Sequence, residues 1–278
     1  MKKLKDGWEI KTLGEITTIS SGGTPSRKKE SYWNGDIPWI RTTEVQNCIL
    51  NLEDTQEFIT KEGLKNSSAK LVPVGTVLLA MIGQGKTRGQ VAYLNFEAST
   101  NQNCATIIFD KNSEPKFYYQ YLLSQYENIR GISNSAGQSN LSGSLVKAIK
   151  VPVPPLNEQI QIAETLSTWD NAIQTTEKLL ENSRQQKKAL MQRLLKGNNW
   201  LQADLAELAV ISKGSQLNKN TLSDNGQYAV INGGIEPSGY TDKFNTESHT
   251  ITISEGGNSC GYIGFQKEKF GVVDIVML

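Results

Sequence analysis

The chain carries one histidine, His249, in 278 residues. A histidine-based zinc site or a Ser-His-Asp relay is therefore excluded from everything that precedes it. Cysteine is scarce as well. Cys48, Cys104 and Cys260 are isolated, odd in number and without the paired spacing of metal ligands, which fits a reducing cytoplasm rather than a disulfide framework. No charge of one sign is in excess, with 29 basic and 28 acidic residues, so attraction to a polyanion has to come from local clusters. Long apolar runs are missing: the most apolar stretch, residues 71–82, is broken by Pro73 and Gly75 and is too short to cross a bilayer. Met1-Lys2-Lys3-Leu4-Lys5-Asp6 lacks the apolar core of a secretory signal. These absences predict a soluble cytoplasmic chain with no membrane partner.

What the chain does have is a repeat. Trp8-x4-Leu13-Gly14-Glu15-Ile16, with Ile19-Ser20 and Gly22, returns as Trp200-x4-Leu205-Ala206-Glu207-Leu208, with Ile211-Ser212 and Gly214. The offset is the same for every matched pair, as in a duplicated unit. The expected organisation is a unit over 1–155, a helical segment over 156–197 and a second, partial copy over 198–278. The expected fold class is α+β, with strand-rich units carrying small helices.

In the first unit, strands are expected at Ile16 to Ser20, Ile37 to Ile40, Val77 to Ile82, Val91 to Leu94 and Ala105 to Phe109. Phe117 to Tyr126 has aromatic and leucine residues at helical spacing and is read as a helix with a buried stripe. Val151-Pro152-Val153-Pro154-Pro155 forms a stiff extended joint. Beyond it, Asn157 is read as an N-cap and Gly197 as the left-handed residue closing the helix. Between them an alternating four-three spacing runs through Ile162, Leu166, Trp169, Ile173, Thr176, Leu180, Ser183, Lys187, Leu190 and Leu194. That is a heptad seam with three polar interruptions, and an exposed rod of this kind needs a partner for its apolar stripe. Its N-terminal half is acidic (Glu158, Glu164, Asp170, Glu177, Glu181) and its C-terminal half basic (Arg184, Lys187, Lys188, Arg193, Lys196). Antiparallel pairing of two copies sets unlike halves against each other.

In the second copy, aligning Gly261 with Gly89 superimposes Thr250 to Phe265 on Leu78 to Tyr93. By that register Leu278 corresponds to about Thr106, so no counterpart of the aromatic helix, the proline joint or the rod is expected. A sheet interrupted there has an unpaired edge, and marginal stability or completion by another chain is expected.

Motifs for catalysis are few. Ala80-x4-Gly85-Lys86-Thr87 fits a permissive phosphate-binding loop, but such a loop has to lead into a helix. Here Arg88-Gly89-Gln90-Val91-Ala92-Tyr93 leads into a strand, so a β-hairpin turn is expected. Asp110 with Glu114-Pro115-Lys116 weakly resembles a magnesium-holding carboxylate group, yet reads better as a solvated loop. No Asn-Pro-Pro-aromatic motif occurs. No catalytic residue and no metal site are expected, and the chain is not read as an enzyme. The remaining loops suit DNA: Ser21, Gly22, Thr24, Ser26, Arg27, Lys28 and Lys29; Arg41 and Thr42; Gln84, Lys86, Thr87 and Arg88; Gln138, Ser139 and Asn140. Lys and Arg neutralise phosphates, while Arg, Gln and Asn pair with base edges.

With these elements in order, the chain resembles the DNA-specificity subunit of type I restriction-modification systems. The resemblance is carried by the two starts and by Ser21-Gly22-Gly23-Thr24-Pro25, Trp33-Asn34-Gly35-Asp36-Ile37-Pro38-Trp39-Ile40 and Leu79-Ala80-Met81-Ile82-Gly83. Val151-Pro152-Val153-Pro154-Pro155-Leu156-x2-Gln159 and Lys188-x-Leu190-Met191-Gln192-x-Leu194-Leu195-x-Gly197 complete it. The resemblance implies two target-recognition domains, each reading half of a bipartite site on double-stranded DNA, held apart by two antiparallel spacer helices. It assigns methylation and cleavage to partner methyltransferase (M) and restriction/translocase (R) subunits. S-adenosylmethionine, ATP and magnesium are then expected on those partners only, with no cofactor in this chain. The partial second domain departs from the pattern. Two chains are therefore expected to pair through 157–196, using Ile162, Leu166, Trp169, Ile173, Leu180, Leu190 and Leu194, and to read a palindromic site. The alternatives are an inactive or silent truncated specificity cassette and a coiled-coil adaptor that does not bind DNA.

Overall fold

The computed structural model describes residues 5–83, 85–132, 140–197, 200–214, 222–273 and 275–278. It divides into two compact units, Met1–Gln186 and Lys187–Leu278, and each is treated by itself.

The first unit opens with β1 (Glu9–Thr12), the short helix α1 (Leu13–Ile16) and β2 (Thr17–Ser21). Ile16 therefore ends a helical turn instead of starting a strand. The turn is favoured locally because Glu15 reaches back to accept the Thr12 amide at 2.6 Å, and because Leu13 is fully buried. Then come β3 (Trp33–Ile40), β4 (Cys48–Leu50), β5 (Phe58–Ile59), the helix α2 (Lys61–Lys65), β6 (Val77–Ala80), β7 (Val91–Leu94), β8 (Ser99–Thr100) and β9 (Cys104–Phe109). The expected aromatic helix is two helices, α3 (Pro115–Ser124) and α4 (Tyr126–Gly131), separated at Gln125. After α5 (Gly143–Lys147), β10 (Lys150–Val153) pairs antiparallel with β1.

Two sheets form the body, ordered β2-β9-β6-β7-β4 and β5-β3-β8. The central strands β6 and β7 are buried on both faces, which is why they read as continuous apolar runs rather than alternating ones. Val77 and Leu79 point into a core with Phe117, Tyr118, Tyr119 and Leu122 of α3. Leu78 and Ala80 point the other way, against Ile40, Val45, Val72 and Leu94. The aromatics of α3 are thus core residues.

The rod is α6 (Leu156–Leu194), 39 residues and about 58 Å at ~1.5 Å per residue. It begins before Asn157, which lies inside the first turn and does not cap it. The joining interaction is Gln159: its side chain accepts the Glu114 amide at 2.9 Å and donates to the Pro154 carbonyl at 2.8 Å. Gly197 does not take a left-handed conformation. A Cβ there would meet the Trp200 ring, a side chain that is itself 59% exposed.

The second unit contains α7 (Leu205–Leu208), β11 (Ser212–Lys213), β12 (Tyr228–Asn232), β13 (Gly239–Thr241), β14 (Thr250–Ser254), β15 (Ile263–Gln266), β16 (Gly271–Val273) and β17 (Ile275–Met277). Its sheets, β11-β17-β14-β15 and β13-β12-β16, reproduce β2-β9-β6-β7 and β5-β3-β8. The correspondence is local as well. Gly89 and Gly261 both have positive φ and donate to Ala80 and Ser254 respectively, each at 2.9 Å. Ala80 therefore matches Ser254, and Leu78 matches Thr252 instead of Thr250. The second turn is two residues shorter than the first, which corrects the register expected for the first strand of that hairpin. β17 occupies the place of β9 and pairs with both β14 and β11, so strands flank it on both sides. By this register Leu278 corresponds to Ile107, one residue beyond the expected position.

Candidate nucleic-acid interface

Strand direction gathers the polar loops of the first unit. β2 and β6 both run antiparallel to β9, so Ser21 and Ala80 finish beside its start, opposite Ala105 and Cys104. β3 finishes there too: Ile40 pairs with Thr100, and its carbonyl accepts the Asn101 amide at 3.0 Å. The Leu141 amide donates to the Met81 carbonyl at 2.8 Å, which brings Asn140 to the same end. Residues 21–24, 41–42, 85–88 and 140, far apart in the chain, meet at one end of the five-stranded sheet, and residues 26–29 continue from there along β3 to Tyr32 and Trp33.

The side chains fall into two groups there. Gly22 and Thr42 are buried and frame the site. A Cβ on Gly22 would overlap the Thr100 carbonyl, and the Thr42 hydroxyl donates to Asn101 Oδ1 at 3.0 Å. Behind Thr42 lies Cys104, whose thiol is pushed up to about 12 by burial and is no nucleophile at neutral pH. Ser21, Ser26, Lys28, Lys86 and Asn140 are exposed, and Thr24, Thr87 and Arg88 are half-buried. The Thr24 hydroxyl donates to Gln102 Oε1, and the Ser26 carbonyl accepts Trp33 Nε1 at 3.2 Å. Lys29 donates to the Tyr32 hydroxyl at 2.9 Å, a bond that holds its ammonium pKa above the ordinary value. Gln84, Gln138 and Ser139 lie outside the described residues.

Two clusters stiffen this end. In the turn at 85–88, Arg130 Nη1 donates to the Gly85 carbonyl at 2.9 Å, and the Tyr126 hydroxyl donates to the Lys86 carbonyl at 2.5 Å. Arg88 in turn donates to the Arg130 carbonyl at 3.0 Å. Gly89 follows and the chain enters β7, so this is a hairpin turn docked on α4, without the helix that a phosphate-binding loop requires. The second cluster was not foreseen from the sequence. Arg27 Nη1 meets Glu57 Oε2 at 2.5 Å, and Arg41 Nη1 meets Glu57 Oε1 at 2.9 Å. The Arg27 guanidinium lies 3.7 Å from the centroid of the Trp33 ring, a cation-π geometry. Arg41 also reaches Glu44 at 3.3 Å, and donates to Gln56. Glu57 sits in the polar stretch Asp54-Thr55-Gln56-Glu57, and only the pairing of β3 with β5 places it beside Arg27.

Asp110 and Glu114 each make local hydrogen bonds. Asp110 Oδ1 accepts the Asn112 amide at 3.0 Å, and Glu114 accepts the Lys116 amide at 3.1 Å at the start of α3. On α6, Ile162 packs against the core of the body. The rest of the seam is open: Leu166, Trp169, Ile173, Leu180, Leu190 and Leu194 are exposed, Trp169 by 66%.

A repeated α+β unit with polar loops at one sheet end, followed by a solvent-exposed helix, is a modular architecture. The match is specific: residues 5–182 and 198–276 fit the model of the type I restriction modification DNA specificity domain, and the chain belongs to that family. It is similar to the type I restriction enzyme MjaIX specificity subunit of Methanocaldococcus jannaschii, 32% identical over 180 residues, covering 63% of this chain and 41% of that one. The EcoR124I/EcoR124II specificity subunit of Escherichia coli is 32% identical over 168 residues, covering 58% and 41%. The chain thus spans about two fifths of the length of these relatives. Among solved structures, the type I restriction-modification system S subunit from M. genitalium superimposes with a TM-score of 0.62 at 20% identity, covering 99% of this chain and 74% of that one. Those values establish a shared fold. Among the described residues, no helix is long and apolar enough to cross a membrane.

Proposed function

We propose that the chain binds double-stranded DNA through the loop-bearing end of its first unit and supplies sequence address to partner subunits. The observation that carries this reading is the convergence of four sequence-distant polar stretches on one sheet end. Lys28, Lys29 and Lys86 are suited to phosphates, and Arg27, Arg41, Arg88 and Asn140 to base edges. In this reading the methyltransferase and restriction/translocase subunits hold S-adenosylmethionine, ATP and magnesium, and this chain holds none of them.

The open face of α6 supports self-association as the second element. Two copies packed antiparallel cover Trp169, Ile173 and Leu180 and oppose the acidic half of one helix to the basic half of the other. Exposed ion pairs contribute only ~0–1 kcal/mol each, so the charges select direction while the apolar face provides affinity. A two-fold dimer presents two copies of the first unit and reads an interrupted palindrome.

Methylome sequencing of cells carrying this chain with its methyltransferase tests the whole reading. An interrupted palindrome is expected, and two unlike half-sites refute the dimer. Affinity for duplex that does not fall with salt refutes the DNA interface and favours a coiled-coil adaptor.

A further inference from the structure

The cluster of Arg27, Glu57 and Arg41 has no role yet beyond tying loops together. Its chemistry is unusual for a surface meant to meet a polyanion: a carboxylate, 23% exposed, sits between two arginines that are 54% and 33% exposed. Neither arginine spends its full donor set on Glu57. Each guanidinium has five N–H donors in a planar fork. The fork of Arg27 is laid on the Trp33 ring, and that of Arg41 is anchored by Glu44 and Gln56. Two forks of fixed orientation result, with donors left over.

The repeat supplies an independent observation. Gly22 abuts Thr100 and Gly214 abuts Val272, so these neighbours are equivalent positions in the two units. Thr100 pairs with Ile40 and Val272 with Ile231, which equates Trp39 with Val230 and Arg41 with Asn232. The Trp39 amide donates to the Glu57 carbonyl, and Val230 pairs with Gly239. The same scaffold therefore forms with asparagine in place of Arg41, glycine in place of Glu57 and valine in place of Trp39. The fold does not require the cluster.

We propose that Glu57 is a positioning residue that holds Arg27 and Arg41 as a pre-oriented pair for base-edge contact and keeps them from grasping phosphates indiscriminately. The proposal rests on the DNA-binding reading and deepens it. Without Glu57 the corner gains a net positive charge, and each fork keeps only its other anchor, the Trp33 ring for Arg27 and Glu44 with Gln56 for Arg41. Non-specific affinity rises and discrimination falls.

The test uses the full chain and two readouts, the salt dependence of binding to a fixed arbitrary duplex and the base preferences enriched from a randomised duplex pool. Glu57→Gln is expected to steepen the slope of log K against log salt by about 0.9 for each phosphate newly engaged. It should also reduce preference at the contacted base pairs by about 5- to 150-fold. Glu57→Asp keeps the charge but is too short to span both arginines, so it is expected to lose preference with no change in slope. If Glu57→Gln fails to fold, Glu57→Asp decides the matter alone. Unaltered base preferences in the folded variants overturn the proposal while leaving the interface intact. A wild-type chain without salt-dependent duplex binding overturns the interface and this role together.

Discussion

Replacing Gln159 by leucine removes the peg that joins the rod to the body of the first unit while nearly conserving volume. Gln159 is 1% exposed, and its amide group serves two backbone partners, the Glu114 N–H and the Pro154 carbonyl. Both lose their partner in the variant, and an orphaned backbone group costs ~1–3 kcal/mol when buried. The Glu114 bond is only part-buried, so the sum is roughly 2–4 kcal/mol. In a unit of this size each kcal/mol moves the melting midpoint by ~2–4 °C, giving a drop of about 4–16 °C. The chain has two units and its melt need not be a single transition, so hydrogen exchange at the Glu114 amide is the decisive measurement. That amide should lose protection in Gln159→Leu and retain it in Gln159→Glu, where an acceptor oxygen remains. A melt shifted by less than 2 °C, with the Glu114 amide still protected, refutes the reasoning.

Other outcomes follow from the same geometry. Trp169→Gln with Ile173→Gln and Leu180→Gln should abolish self-association in light scattering without changing the melt of the first unit, because these side chains are solvent-exposed within the chain. Gly22→Ala drives a Cβ into the Thr100 backbone, whereas Gly214→Ala meets the Val272 side chain at 2.6 Å. The first should cost more than the ~1–3 kcal/mol usual for overpacking, and the second less, by denaturant titration. The Glu158 carboxyl is held below its ordinary 4.5 by hydrogen bonds from Lys5 and Trp8. A depressed folded value gives stability that is present above 4.5 and is lost as pH falls through the folded value. Glu158→Gln should therefore melt below the wild type at neutral pH, and the difference should close in acid. Iodoacetamide should label exposed Cys260 and spare Cys104 in the native chain.

The repeat, the central strands and the rod were legible because each is written in local pattern. A shared offset marked the matching starts, a continuous apolar run marked the strand at Val77 to Ile82, and four-three spacing marked α6. What escaped depends on partners distant in sequence. Asn157 has the chemistry of a cap, but the helix start is set by Gln159 locking onto Glu114 and Pro154. Gly197 has the chemistry of a left-handed terminus, but its backbone does not take that conformation. The two-residue difference between the hairpin turns is invisible without strand pairing, because a glycine anchors both turns at the same place. Glu57 carries no motif at all; it gains meaning only from register, when β5 lies alongside β3. Among the described residues, loops nominated for DNA share one sheet end, yet Thr42 and Gly22 are supports because burial is a property of the assembled sheet.

The unequal hairpin turns have a consequence for how this scaffold changes over time. One framework closes with eight residues between Ala80 and Gly89 and with six between Ser254 and Gly261, and the donors that shut both turns are the same. Insertions and deletions at that tip are therefore absorbed before they reach the strands. A lineage carrying such a frame can rewrite what its tips touch by recombination or slippage, leaving the foundations undisturbed.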